Sequence, residues 1–425
     1  MIISTSKIKN VSEVIKFEKS IALCTGGSLM KKSSQLFLGI IMTLIMTQQS
    51  LASLPPVPSP QMAEKVVTTP LRQKIGQMIM IGVHGTQPQD AEVTLALSQV
   101  EKGDVGGVLF FAYNIKSPQQ VKKLTRAFST VKSPEPILIA IDQEGGKVQR
   151  LKKLNGFTDY ASAYQVAQTK SIFEAKIYYK ILAQEIKNAG FNLNFAPVVD
   201  LHGSPSDPHH KAACPVVGGL ERSFGNELQI VVNYAKAFMV AHHEVGLLTS
   251  LKHYPGHGLA QNDSHKGLVD ITTSYDPLER EPFRHLIAQG VVDTVMTAHL
   301  VHREVDSVYP STLSQNFIEP WLRHEDGFQG VVVTDDLNMG AIQQHYKLKE
   351  IVLRAIMAGN DILVFSNNAL AAPEVKGFKA DATIASKVIH IVEQAIADGQ
   401  LSEDRINASF IRILNLKSRL QPNHR

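Results

Sequence analysis

Eight short runs of apolar, mostly β-branched residues recur between positions 78 and 365, separated by longer stretches with helical periodicity. They occupy 78–81, 107–111, 137–141, 193–199, 247–252, 294–297, 331–333 and 362–365. Each run is nearly continuous in its apolar character instead of alternating, which marks strands buried on both faces, as in a parallel sheet covered by helices. Eight such repeats predict an α/β chain folded as a single (β/α)8 TIM-type barrel, with a doubly wound open sheet as the competing architecture. The polar residues separate the two. Asp142, Asp200, Lys252 with His253, His299, Asp335 and Ser366 each stand at or just after the end of a different run. A barrel gathers such ends on one face, whereas an open sheet strings them along a line.

The helical stretches carry their own punctuation. Ser117-Pro118 starts one, with proline in its first turn, and Gly359 stops the one that precedes the eighth run. Two more stretches, 385–398 and 402–420, follow Ser366 with Gly399 between them, which leaves no room for a second domain. The barrel domain is therefore expected over 70–425, with a proline-rich linker over 53–69.

Ahead of it, Met30-Lys31-Lys32, an apolar run over 36–46 and Ser50-Leu51-Ala52 have the form of a signal peptide over 30–52. The apolar run is too short to cross a bilayer, and no cysteine follows it to carry a lipid. Residues 1–29 then precede a natural start at Met30. A periplasmic or secreted location is expected, or a cytoplasmic one if the leader is not used.

Of 43 basic and 39 acidic residues, six lysines and two glutamates fall before residue 53, so the body is balanced at 37 against 37. That balance supplies no basic field for nucleic acid or a membrane surface. Of the two cysteines, Cys24 and Cys214, only the second lies beyond the leader, so a mature chain can form neither an internal disulfide nor a cysteine metal cluster.

The densest polar stretch follows the fifth run. Lys252-His253-Tyr254-Pro255-Gly256-His257-Gly258 leads to Asp263-Ser264-His265. Proline and two glycines exclude a regular element there, so the chemistry sits on a loop at a strand end. Asp263 and His265 are spaced so that a carboxylate orients an imidazole whose pKa lies near neutrality, an arrangement suited to giving and taking a proton. The seventh run delivers Asp335-Asp336, and a carboxylate at the end of a buried strand needs a partner or a use. Asp336 has a second reading as a cap for the following helix. The third run delivers Asp142-Gln143-Glu144-Gly145-Gly146-Lys147-Val148-Gln149-Arg150, a carboxylate with an arginine behind it, suited to gripping neighbouring hydroxyls.

Lys252 to Gly258 with Asp263-Ser264-His265 resembles the signature of the NagZ-type β-N-acetylglucosaminidases of glycoside hydrolase family 3. The likeness extends over roughly 71–420, through the stretches around Asp142, Asp200, Arg222-Ser223-Phe224-Gly225, His299 and Asp335. It implies Asp335 as nucleophile, and His265 paired with Asp263 as acid/base. It puts Asp142, Arg150, Arg222, Lys252 and His253 on the sugar, and Lys147 outside the contact shell. An insertion-like segment from Cys214 to Glu221 departs from the family pattern ahead of Arg222.

The activity implied is exo-acting, retaining release of terminal GlcNAc from peptidoglycan fragments or related oligosaccharides, with no metal or organic cofactor. The partner expected is a carbohydrate alone, acted on by a monomer without a stable membrane anchor. Other readings are a family 3 β-glucosidase, an inactive sugar-binding protein, and a metal-dependent hydrolase built on His253, His257, Asp263 and His265. Pro255 and Gly256 keep the two histidines of the first pair off a helix and weaken the last of these.

Overall fold

A computed structural model describes residues 59–420 apart from 204–213, 264–266, 372, 374 and 376. The signal-peptide expectation over 30–52 and the upstream segment therefore lie outside the described residues. Within them, ten strands follow one another. They are β1 Ile79–Gly82, β2 Gly107–Phe110, β3 Leu138–Ile141, β4 Leu193–Asn194 and β5 Leu248–Tyr254, then β6 Val269–Asp270, β7 Thr294–Thr297, β8 Leu300–Val301, β9 Val331–Thr334 and β10 Leu363–Phe365.

Eight of them form one sheet in the order β10-β1-β2-β3-β4-β5-β7-β9, and every neighbouring pair is parallel. The two ends meet. A parallel bridge joins Val333 to Ile362, and the Thr334 N–H donates to the Ile362 carbonyl at 2.9 Å. The barrel reading holds, and all eight expected runs supply its staves. The fourth is shorter than expected. Regular pairing stops at Asn194, and the chain to Val199 continues through single contacts, Phe195 N–H to Ile141 at 2.8 Å and Val199 N–H to Lys252 at 2.9 Å. Pro197 sits inside this segment with no N–H to give, so a continuous ladder cannot form.

Every residue of the eight barrel strands is buried, which accounts for their unbroken apolar sequence. Closure needs small residues where strands crowd. A Cβ on Gly82 would lie 1.8 Å from the Ser366 carbonyl oxygen, inside any permissible contact. Helices such as Pro118–Ser129, Ile172–Asn188, Leu228–His243 and Leu348–Ala358 cover the outside. Ser117 and Ser171 cap the first two with side-chain oxygens, and Gly359 ends the last in the left-handed conformation at φ 114°.

Part of the expected linker is ordered. Pro60–Thr68 is a helix packed on the C-terminal helix Glu403–Ser418, and Lys65 pairs with buried Glu135 at 2.6 Å. A helix with Ser59 as its cap and proline in its first turn is what local physics allows; the proline count alone hid it.

Candidate active site

The loops after the strands meet over a cavity of about 510 Å³ at the C-terminal end of the barrel, within the roughly 300–1,000 Å³ typical of small-molecule sites. Asp142, Arg150, Arg222, Lys252, His253 and Asp335, all singled out from sequence, line it together. Strand ends from opposite parts of the chain thus converge, as a barrel requires and an open sheet does not.

The polar wall is built from β3 outward. Asp142 and Glu144 leave the strand, and Gly145 and Gly146 turn the chain back with φ of 104° and 57°. A Cβ on Gly145 would lie 2.3 Å from the Ala161 carbonyl oxygen, so the turn takes only glycine. Buried Gln143 holds the returning strand, its Oε1 accepting from the Arg150 N–H at 2.8 Å and the Leu151 N–H at 3.0 Å. Arg150 is thereby brought back beside Asp142, with Nη2 3.2 Å from Oδ2.

Glu144 was not anticipated, yet it is the hub. It is 6% exposed and takes two hydrogen bonds from Arg222, Nε to Oε2 and Nη2 to Oε1, each at 2.8 Å. Lys252 Nζ lies 2.7 Å from Glu144 Oε1 and 3.0 Å from Asp142 Oδ1. Burial opposes ionisation of both carboxyls. At Glu144 the charges of Arg222 and Lys252 outweigh it and hold the group far below the usual range; at Asp142, Lys252 and Arg150 hold the carboxyl below its ordinary value. Three cations and two carboxylates are locked into one network. Its sequence signal was available, because Glu144 shares a two-residue spacing with Asp142 and so the same wall.

Asp200, at the end of the fourth run, fixes a histidine. It is fully buried, and its carboxylate accepts from His253 Nδ1 at 2.7 Å and from the backbone N–H groups of His253 and His257 at 2.9 and 3.0 Å. Nδ1 of His253 therefore carries a proton, and Nε2, 3.4 Å from Arg222 Nη2, is the acceptor. Burial resists the Asp200 charge, and the neighbouring His253 holds the carboxyl below its ordinary value nonetheless. His257 lines the same cavity, its Nδ1 3.3 Å from Cys214 Sγ, and burial depresses it to about 4.

On the facing side β9 presents the two aspartates differently. Asp335 opens into the cavity, its N–H bonded to Thr297 at 3.1 Å and its Oδ1 accepting from the Asp336 N–H at 2.8 Å. Asp336 also borders the cavity, but its Oδ1 accepts from the N–H groups of Ser366 at 2.8 Å and Asn338 at 3.0 Å, so it ties the loop after β9 to the one after β10. Burial raises it to about 6. Asp336 does not cap the following helix, Gly340–Gln343, which Met339 precedes without a side-chain cap; it clasps two loops instead.

His299 does not line the cavity. It is fully buried between Thr312 Oγ1 and the Asp336 carbonyl, both at 2.9 Å. Lys147 is exposed and does not line the cavity. Asp263 is half-buried and is not part of the cavity wall, while His265 lies outside the described residues. Among the described residues no group of three or more His, Cys, Asp or Glu is arranged to hold a metal ion.

Residues 70–416 match the glycosyl hydrolase family 3 N-terminal domain. A β-hexosaminidase of Nitrosomonas eutropha is 33% identical over 280 residues, 64% of this chain and 76% of that protein. One from Xanthomonas oryzae is 32% identical over 70% of this chain and 86% of its own length. Among solved structures, a family 3 β-N-acetylglucosaminidase from a Paenibacillus strain superposes with TM-score 0.72 at 33% identity, covering 83% of this chain and 63% of that one. The chain spans 54% of the length of β-hexosaminidase A from Pseudoalteromonas piscicida. The match runs from before β1 to within the C-terminal helix, and on that ground the chain belongs to glycoside hydrolase family 3.

Proposed function

We propose that the chain is an exo-acting β-N-acetylglucosaminidase that works with retention, releasing terminal GlcNAc from peptidoglycan fragments or related oligosaccharides. The observation that carries the reading is the opposition of Asp335, on a rigid strand end, to the Asp142, Arg150 and Lys252 cluster across one cavity. Hydroxyls of a terminal sugar fit the cluster, where carboxylate acceptors and cationic donors alternate within 2.7–3.2 Å of one another. A ring held there directs its anomeric carbon towards Asp335.

In the first step an Asp335 oxygen forms a bond to that carbon while the glycosidic bond breaks, and His265, oriented by Asp263, hands its proton to the departing oxygen. In the second, His265 takes a proton from water, whose oxygen displaces Asp335 and regenerates the carboxylate. A strand end suits the nucleophile, whose approach distance is critical, and a loop suits the proton carrier. The β-hexosaminidase names borne by the relatives support the sugar, and the expected leader supports an exported enzyme meeting cell-wall fragments.

The test is to trap the enzyme with a GlcNAc donor carrying fluorine at C5 and fluoride as leaving group. The peptide holding Asp335 should gain the glycosyl mass, and aryl β-GlcNAc should be cleaved far faster than aryl β-glucose. A label on another carboxylate, or a product of inverted configuration, rejects the mechanism. Preference for glucose moves the chain to the β-glucosidase reading, and loss of turnover on exhaustive chelation would favour the metal-dependent one.

A further inference from the structure

The loop that starts at Pro255 rests on a carboxyl group to which neither the sugar wall nor the nucleophile gives a role. Glu279, in the short helical turn Pro277–Arg280, is 1% exposed. Its Oε1 accepts from the Leu259 backbone N–H at 3.0 Å, and the Gly258 N–H also bonds this carboxyl. Two glycines let the loop lie directly upon it. A Cβ on Gly256 would sit 2.4 Å from Glu279 Cβ, and one on Gly258 would sit 2.8 Å from Oε1 and 1.8 Å from the Leu201 carbonyl oxygen.

The other oxygen, Oε2, is shielded from solvent with no hydrogen-bond partner among the described residues. Burial, with repulsion from Asp200 added, holds this carboxyl well above the usual range. A neutral acid accepting from loop amides costs far less to bury than a carboxylate would.

Both ends of the loop are thereby fastened. At the near end Glu279 holds Gly258 and Leu259, while Asp200 accepts from the His257 N–H at 3.0 Å. At the far end β6 pairs with β8, and the Ile271 N–H donates to Val301 at 2.8 Å. Asp263 lies on the span between, four residues beyond the Leu259 anchor.

We propose that Glu279 is a positioning residue for proton transfer, fixing Gly258 and Leu259, the start of the segment that leads to Asp263. The inference rests on the acid/base role assigned to that span above.

The experiment compares kcat/KM, which reports formation of the glycosyl intermediate, for two aryl β-GlcNAc substrates. A 2,4-dinitrophenyl group leaves without a proton, and an unsubstituted phenyl group needs one. Since a positioned acid is worth roughly 100- to 10,000-fold, Glu279→Ala should lower kcat/KM for the phenyl substrate at least 30-fold and for the dinitrophenyl substrate less than threefold. Glu279→Gln keeps the accepting oxygen and the shape of the side chain, and it should recover most of the phenyl rate. Should Glu279→Ala not fold, Glu279→Asp, which withdraws the acceptor by one methylene, is expected to show the same selective loss at smaller size. Equal losses on both substrates, or none on either, would overturn the role. Failure of the unaltered enzyme to cleave aryl GlcNAc or to label Asp335 would instead reject the reading beneath it.

Discussion

Replacing Glu144 by glutamine tests the network that shapes the polar wall of the cavity. The substitution keeps the shape but removes the charge, and it turns one acceptor into an N–H donor facing either Arg222 or Lys252, which lie 2.7–2.8 Å away. Breaking a buried ion pair from one side costs about 3–5 kcal/mol, because the remaining charge stays buried without its partner. For a body of about 360 residues the unfolding entropy is roughly 0.76 kcal/mol/K, so a 4 kcal/mol loss lowers Tm by about 5 °C. KM for aryl GlcNAc should rise about tenfold, since Arg222 and Lys252 lose their common anchor.

The pH dependence carries a sign. The folded Glu144 carboxyl titrates far below its unfolded value near 4.3, so its stabilisation is present above that value and declines as pH falls. The Tm gap between the two proteins should therefore be constant from pH 7 to pH 5 and narrow below about pH 4.3. Thermal unfolding by circular dichroism across that range, with KM measured at pH 7, decides the matter. A Tm within 1 °C of the unaltered protein at pH 7, together with unchanged KM, would refute the reasoning.

Other perturbations separate structural from chemical roles. Asp335→Ala should abolish turnover of aryl GlcNAc with a Tm change below about 2 °C, because its side chain faces the cavity; near-normal turnover would displace it as nucleophile. Asp336→Asn retains an acceptor for Ser366 and Asn338 and should keep activity. Since the folded pKa of Asp336, about 6, lies above its unfolded value, ionisation costs stability as pH rises from about 4 to 6, and the variant should gain Tm over the unaltered protein across that interval. Asp200→Asn weakens a charge-assisted bond to His253 worth about 1.5–3 kcal/mol and should lower kcat/KM roughly 10- to 100-fold, with little effect if His253 does not touch the sugar. Gly82→Ala drives a methyl into the Ser366 carbonyl and should destabilise the fold by more than about 4 kcal/mol; a soluble variant of normal Tm would show that β1 and β10 part more easily than their packing implies.

Much of this was legible in the residues. Eight unbroken apolar runs become eight staves, because a strand covered on both faces has no polar side to display. The polar residues at their ends, Asp142, Lys252, His253 and Asp335, meet at one cavity because parallel staves share a direction. Turn chemistry was equally local, from Ser117 before a helix to Gly359 after one. The helix Pro60–Thr68 was missed because proline near a helix start and proline in a linker give the same composition.

Partnership across the chain was not legible. Glu144 and Arg222 are 78 positions apart and Asp200 and His253 are 53 apart, and no periodicity links such pairs. That Asp336 clasps two loops, and that His299 lies between Thr312 and Asp336, depends on which groups chain closure brings within about 3 Å. Sequence by itself determined the strand and helix order and the kinds of chemistry available at each strand end, since those follow from local burial and turn preferences. Tertiary structure alone decided which buried charge meets which, because the energy of a buried carboxylate depends on cations that only chain closure brings within reach.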